Sequence, residues 1–189
     1  SFNKLHFDKY VFYFYNSLYI NYARTDIDKA IRALDDLDKV MKQLKNSYYE
    51  QFILLNKSTL LFERKKFNDA IRQLVRLYLN DSYRNASETF KLKVAVAEMI
   101  MQYESGDLSV FKNRLGQVRK QFASVLKKQE NNRDKTFLNI LEKMMDKDWR
   151  ANKALAKSVK AFIVPAKASE GEESELLNYR QWLSVKAST

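Results

Sequence analysis

Cysteine is absent from this 189-residue chain, and glycine and proline are nearly so, with three and one residues respectively. The lack of thiols excludes disulfide staples, thiol catalysis, iron–sulfur ligation and Cys-based zinc sites, and it suits a reducing compartment. Sparse glycine and proline argue against an all-β or doubly wound domain, whose turns and phosphate-cradling loops need residues that tolerate positive φ. Long apolar runs are also missing. The aromatic stretch from Tyr10 to Tyr15 gives way to Asn16 far short of the roughly 20 residues that span a bilayer, so no membrane span is expected. Ser1-Phe2-Asn3-Lys4 shows no charged segment leading into an apolar one, so no signal peptide is visible in these residues. A cytoplasmic location is the expectation, and an opening on Ser1 rather than Met suits a chain cut from a longer one.

What is present is helical periodicity. With 46% apolar residues the chain can bury one continuous core. Ile27, Ile31, Leu34, Leu37, Met41 and Leu44 recur every three or four residues, as do Phe67, Ile71, Leu74, Leu77 and Tyr78. Each stretch follows an earlier helical segment, Phe7 to Ala23 or Tyr48 to Arg64, across a short polar turn at Arg24-Thr25-Asp26 or Lys65-Lys66. The unit is a helix pair.

The pairs repeat. Ile27-Asp28-Lys29-Ala30-Ile31-Arg32-Ala33-Leu34 aligns with Phe67-Asn68-Asp69-Ala70-Ile71-Arg72-Gln73-Leu74 forty residues later, and Asn16 recurs as Asn56. A third unit turns at Gly106-Asp107-Leu108, with Phe111 and Leu115 where Ala70 and Leu74 stood. Polar residues 127–133 form a loop. Phe137, Ile140, Leu141, Met144 and Met145 then mark one helix and Ala151 to Val164 another, stopped near Pro165. Residues 166–174 read as a flexible acidic loop, and Leu176 to Val185 as a last helix whose Leu177, Trp182 and Leu183 cap the stack. The expected pairs are 7–45, 47–81, 87–128 and 134–164, with a capping helix over 175–185, all in one domain spanning 1–189.

These features resemble the tetratricopeptide (TPR) family: Gly106-Asp107-Leu108 at a turn, Phe67 followed by Ala70 and Leu74, Ile27 followed by Ala30 and Leu34, and Asn16 and Asn56 in the first helices. The likeness covers residues 8–126, in units longer than the family's usual repeat of about thirty-four residues. The chain is also similar to the C-terminal part of large bacterial TPR-like proteins, which implies further repeats upstream. The resemblance implies an α-α superhelix, a right-handed solenoid of hairpins, in which a small residue lets paired helices cross closely. It further implies a concave groove lined by first helices, where an Asn hydrogen-bonds the backbone of an extended peptide. The matching positions are Phe12, Tyr15, Asn16, Tyr19 and Tyr22 in the first unit, Phe52, Leu55, Asn56, Thr59 and Phe62 in the second, and Val96, Ile100 and Tyr103 in the third. Such aromatics can serve as anchors for a partner, or be the inner face of a solenoid left bare by a missing neighbour.

Charge supports a second reading. The formal net charge is +11, and residues 105–167 hold fifteen Lys/Arg against six Asp/Glu. Arg150, Lys153, Lys157 and Lys160 align on one helical face, and Lys112, Arg119, Lys120 and Lys127 belong to the preceding pair. Such a field draws polyanions, including nucleic acid, without reading sequence. Catalysis has little support: His6 is the one histidine, Asp35/Asp36 and Asp146/Asp148 lie among surface charges, and no metal-ligand spacing or nucleotide loop occurs. The reading is therefore a non-catalytic scaffold without cofactor or metal that binds a peptide or partner helix. The alternatives are a polyanion-binding module, or a structural end segment of a longer solenoid.

Overall fold

A computed structural model describes residues 2–146, 148–164 and 175–188. Among these residues the regular structure is entirely helical: α1 (Phe2–Ala23), α2 (Ile27–Gln43), α3 (Glu50–Glu63), α4 (Phe67–Tyr78), the single turn α5 (Asp81–Arg84), α6 (Glu88–Ser105), α7 (Leu108–Gln121), α8 (Asn132–Lys143), α9 (Lys153–Ile163) and α10 (Tyr179–Ser188). They gather into two compact units, Ser1–Ala86 and Ser87–Thr189. The boundary falls where the second expected pair gives way to the third.

Boundaries follow local chemistry. Asp26, Ser87, Asp107 and Asn152 precede α2, α6, α7 and α9, and each side-chain oxygen accepts a backbone N–H of the first turn. Those N–H bonds, from Val110 to Asp107 and from Lys29 to Asp26, hold both carboxyls below the ordinary aspartate range. The helix C-termini were less legible. Gly106 takes the left-handed conformation at φ 84° after α6, but Lys45 (φ 53°) and Lys65 (φ 57°) do the same without being glycine. At Lys65 the bonds Lys65 N–H to Phe62 O (2.9 Å) and Lys66 N–H to Leu61 O (2.9 Å) close a Schellman turn, and Lys45 and Asn46 repeat it on Lys42 and Met41. A Cβ in this conformation costs about 1 kcal/mol. Lys65→Gly should therefore raise stability by up to about 1 kcal/mol in urea denaturation, and a loss of stability would show that the lysine stem packs usefully.

In the first unit α1 pairs with α2 and α3 with α4, while α2 meets α3. Ala30, Leu34, Leu37 and Met41 of α2 close on Ile53 and Leu60 of α3. Ala70 is fully buried, and buried Ser58 donates its hydroxyl to the Ala70 carbonyl at 3.0 Å. That bond brings a side chain of α3 against the backbone of α4.

In the second unit α6 meets α7 and α8, α8 meets α7 and α9, and α10 lies on α9. Phe111 and Leu115 face its core, as their alignment with Ala70 and Leu74 requires. The loop expected over 127–133 follows a 3-10 turn at Val125–Lys127 and contains another at Gln129–Asn131, and α8 begins within it at Asn132. The last helix starts at Tyr179, three residues later than expected, with Leu177, Trp182 and Leu183 buried. Pro165 and the acidic loop of 166–174 lie outside the described residues.

Buried charge binds α10 to the second unit. The Lys93 ammonium of α6 meets Asp134 of α8 at 2.8 Å, and the Tyr179 hydroxyl donates to the other Asp134 oxygen at 3.0 Å. Arg133 pairs with Glu175, whose second oxygen accepts the Tyr179 N–H at 2.9 Å. Glu104 accepts from the Trp182 indole at 2.6 Å and from Lys186 at 2.8 Å. Around them the Tyr179 ring stacks on Phe137 at 4.3 Å, and Trp182 meets Tyr103 edge-on at 5.5 Å. The last helix is thus tied in by directional contacts as well as by its apolar face.

Candidate functional site: an aromatic cleft in the first unit

Helix α1 is apolar almost all round, a pattern that ordinarily belongs to a helix buried on every side. Here only one side is covered. Phe12, Tyr15, Tyr19 and Tyr22 are half-buried against the α2–α3 core, whereas Phe7, Tyr10, Tyr13, Phe14 and Ile20 stand exposed. The expected groove wall of α1 is therefore largely packing surface.

Between α1 and α3 a cleft of about 600 Å³ opens. Lys9, Phe12 and Tyr13 come from α1, Tyr48 and Tyr49 from the segment before α3, Gln51, Phe52, Leu55 and Asn56 from α3, and Ser82 from α5. Its rings hold one another in place. Phe12 stacks on Tyr49 at 4.1 Å and meets Phe52 edge-on at 5.1 Å, while Tyr48 stands at right angles to Tyr49 at 5.0 Å. Tyr48 and Tyr13 are the open rings, 76% and 60% exposed. Burial lifts the Tyr49 hydroxyl above the ordinary tyrosine range, with smaller contributions from Tyr13, Tyr48 and Asp8. Rigid aromatic walls with hydroxyl and amide tips bury apolar area at little conformational cost and can hydrogen-bond a polar backbone.

The proposed asparagines differ from one another. Asn56 lines the cleft, but its amide N–H donates to the Phe52 carbonyl at 2.7 Å and its oxygen accepts from the Tyr19 hydroxyl at 2.7 Å. That amide ties α3 to α1. Burial, with Glu63 nearby, raises the Tyr19 hydroxyl, which stays a protonated donor. Asn16 is half-buried and its side chain makes no hydrogen bond among the described residues.

Other expected groove positions lie elsewhere. Thr59 donates to the Asn56 carbonyl at 2.8 Å, Phe62 packs on Phe67 at 5.6 Å, and Lys29 sits 5.6 Å over the Tyr22 ring. Ile100 and Val96 are fully buried core residues of the second unit. Tyr103 donates to the Met144 carbonyl at 3.2 Å and packs edge-on against Phe111 at 5.9 Å, so it too is internal. Of the thirteen groove positions, Phe12, Phe52, Leu55 and Asn56 line the cleft. Tyr48, Tyr49 and Tyr13 were missed, although an adjacent Tyr pair just ahead of a helix start was a readable signal.

In the second unit Lys153, Lys157 and Lys160 share the exposed side of α9. Arg150 is diverted: its guanidinium lies 4.7 Å over the Trp149 ring and donates to the Lys186 carbonyl at 3.0 Å. Asp35 pairs with Lys57 and Asp36 with Lys39, which spends both members of that carboxylate pair on separate cations. Among the described residues no group of three or more His, Asp or Glu side chains is placed to hold a metal ion, and no helix is long and apolar enough to cross a membrane. No family model, curated protein or solved structure matches this chain.

Proposed function

We propose that the chain is a non-catalytic scaffold of TPR-like helix hairpins, stacked as a right-handed solenoid, and that the cleft between α1 and α3 receives an extended segment of a partner protein. The observation that carries this reading is the cleft itself: five aromatic rings converge on one concavity, two of them open to solvent, with Lys9, Gln51 and Ser82 at its polar margins. Extended peptides dock on such ledges by burying a few side chains and hydrogen-bonding their backbone.

A second reading, that this is a segment of a longer stack, has its own support. Exposed Phe14 and Ile20 of α1 stand forty residues before Leu54 and Leu60 of α3, both of which are buried. Leu60 is covered by α2. By the same register the outer side of α1 suits a further hairpin presenting an α2-like face of alanine and leucine.

Selection of peptides from a random displayed library, followed by titration of the best binder, tests both readings. Tyr13→Ala with Tyr48→Ala should weaken binding about tenfold or more, equivalent to about 1.4 kcal/mol, while Phe14→Gln with Ile20→Gln leaves it intact. If instead the second pair of substitutions alone removes binding, the outer side of α1 is the interacting surface. Indifference to both pairs would exclude the cleft.

A further inference from the structure

A second concavity, of about 260 Å³, lies wholly within the second unit. Its floor is apolar, built from Ala123, Leu126 and Leu138, and its rim carries Arg119, Lys127 and Lys135 together with Asn139. No carboxylate lines it. The three cations come from separate places in the chain: the last turn of α7, the 3-10 turn at 125–127, and α8. The fold, rather than a local run of lysines, brings them to one opening. Leu126 and Leu138 are buried, whereas Lys127 and Lys135 are exposed and neither has a carboxylate partner among the described residues.

Arg119 differs from the two lysines. Its Nη2 donates to Asn139 Oδ1 at 2.8 Å and meets Glu142 at 2.9 Å. One edge of the guanidinium is thereby held in position, and Nη1 and Nε make no bond among the described residues. A planar donor fixed in this way, beside two mobile point charges, matches the oxygens of a phosphoryl group better than a diffuse basic face does. Three cations offset by the adjoining Glu142 leave two positive charges, and a phosphate monoester near neutral pH carries nearly two negative ones.

We infer that this pocket binds a phosphate monoester on a short aliphatic stem: the phosphoryl oxygens meet Arg119, Lys127 and Lys135, and the stem lies over Leu126 and Leu138. A volume of about 260 Å³ suits one phosphoryl group with a short stem. Nucleic acid binding would instead draw on a track of cations, of which the α9 row of Lys153, Lys157 and Lys160 is the nearest example in this unit.

The test is calorimetric titration of the full chain with three probes: inorganic phosphate, glycerol 3-phosphate, and a nine-residue phosphothreonine peptide with its unphosphorylated counterpart. At least one of the two esters should bind more tightly than inorganic phosphate, and the unphosphorylated peptide should not bind. A tighter peptide identifies a phosphorylated protein as the source, whereas equal affinity identifies the free ester. Lys127→Gln with Lys135→Gln should weaken ester binding about tenfold or more, while Lys153→Gln with Lys157→Gln leaves it within about twofold. All four lysines are exposed, and an unchanged far-UV spectrum confirms folding. Equal loss in both double variants, or duplex DNA displacing the ester in the wild type and in the 127/135 variant alike, would overturn the pocket in favour of a diffuse basic field. Failure of both esters to bind would also overturn it. None of these outcomes bears on the aromatic cleft, whose residues belong to the other unit.

Discussion

Asp134→Ala should destabilise the second unit by about 3–5 kcal/mol, the range seen when one partner of a buried ion pair is removed. Asp134 is fully buried and binds two groups at once, the Lys93 ammonium and the Tyr179 hydroxyl. Its loss takes the Asp134 carboxylate away from an ammonium whose side chain is only 4% exposed, and removes the acceptor of a phenol that burial and Asp134 together hold well above the ordinary tyrosine range. Urea denaturation followed by far-UV circular dichroism and by tryptophan emission, to which α10 contributes Trp182, measures the effect. Replacing both partners, Lys93→Met with Asp134→Leu, should recover much of the loss, because desolvated charge and unmade bond disappear together. If Asp134→Ala alone lies within about 1 kcal/mol of wild type, the pair is solvated in solution and the anchoring of α10 rests on its apolar contacts.

Phe111→Ala should also cost about 3–5 kcal/mol, and here sequence resemblance and packing point in opposite directions. By alignment Phe111 occupies the place of Ala70, so alanine would restore the residue that TPR-like pairs use for close crossing. The structure requires the aromatic ring. Phe111 is fully buried and meets Tyr103 of α6 edge-on at 5.9 Å. Truncation leaves a cavity that the surrounding helices can only partly close. Thermal and urea unfolding would show the loss, and a neutral or stabilising result would mean that the surrounding helices collapse to fill that cavity. The reverse substitution, Ala70→Phe, would add a ring at a position that is already fully buried.

The helix pairs were legible because α2 and α4 are amphipathic: an apolar stripe recurring at three and four residues identifies both the helix and its buried side. Ala30, Leu34, Leu37, Ala70, Leu74 and Leu77 are all core residues. The polar turns after α1 and α3 were equally readable. The site was harder to read because α1 and α3 lack a polar side that would orient them. With Phe or Tyr at 7, 10, 12, 13, 14, 15, 19 and 22, periodicity cannot distinguish a ring that packs from a ring that faces solvent. The groove positions transferred by repeat register included Tyr19 and Asn56, which bond to each other, and Ile100, which is sealed in the core.

Composition and local pattern alone determined that the described residues are helical and which sides of α2 and α4 are buried, since backbone propensity, capping and amphipathic spacing act within a few residues. Only the tertiary structure decided which rings of α1 stay open, that Asn56 is consumed by Tyr19, and that Arg119, Lys127 and Lys135 share one opening. It also decided that Lys93, Asp134 and Tyr179 meet across 41 and 45 residues of chain. Those outcomes depend on which surfaces exclude water together, and that is settled by helices packing in three dimensions rather than by their order along the chain.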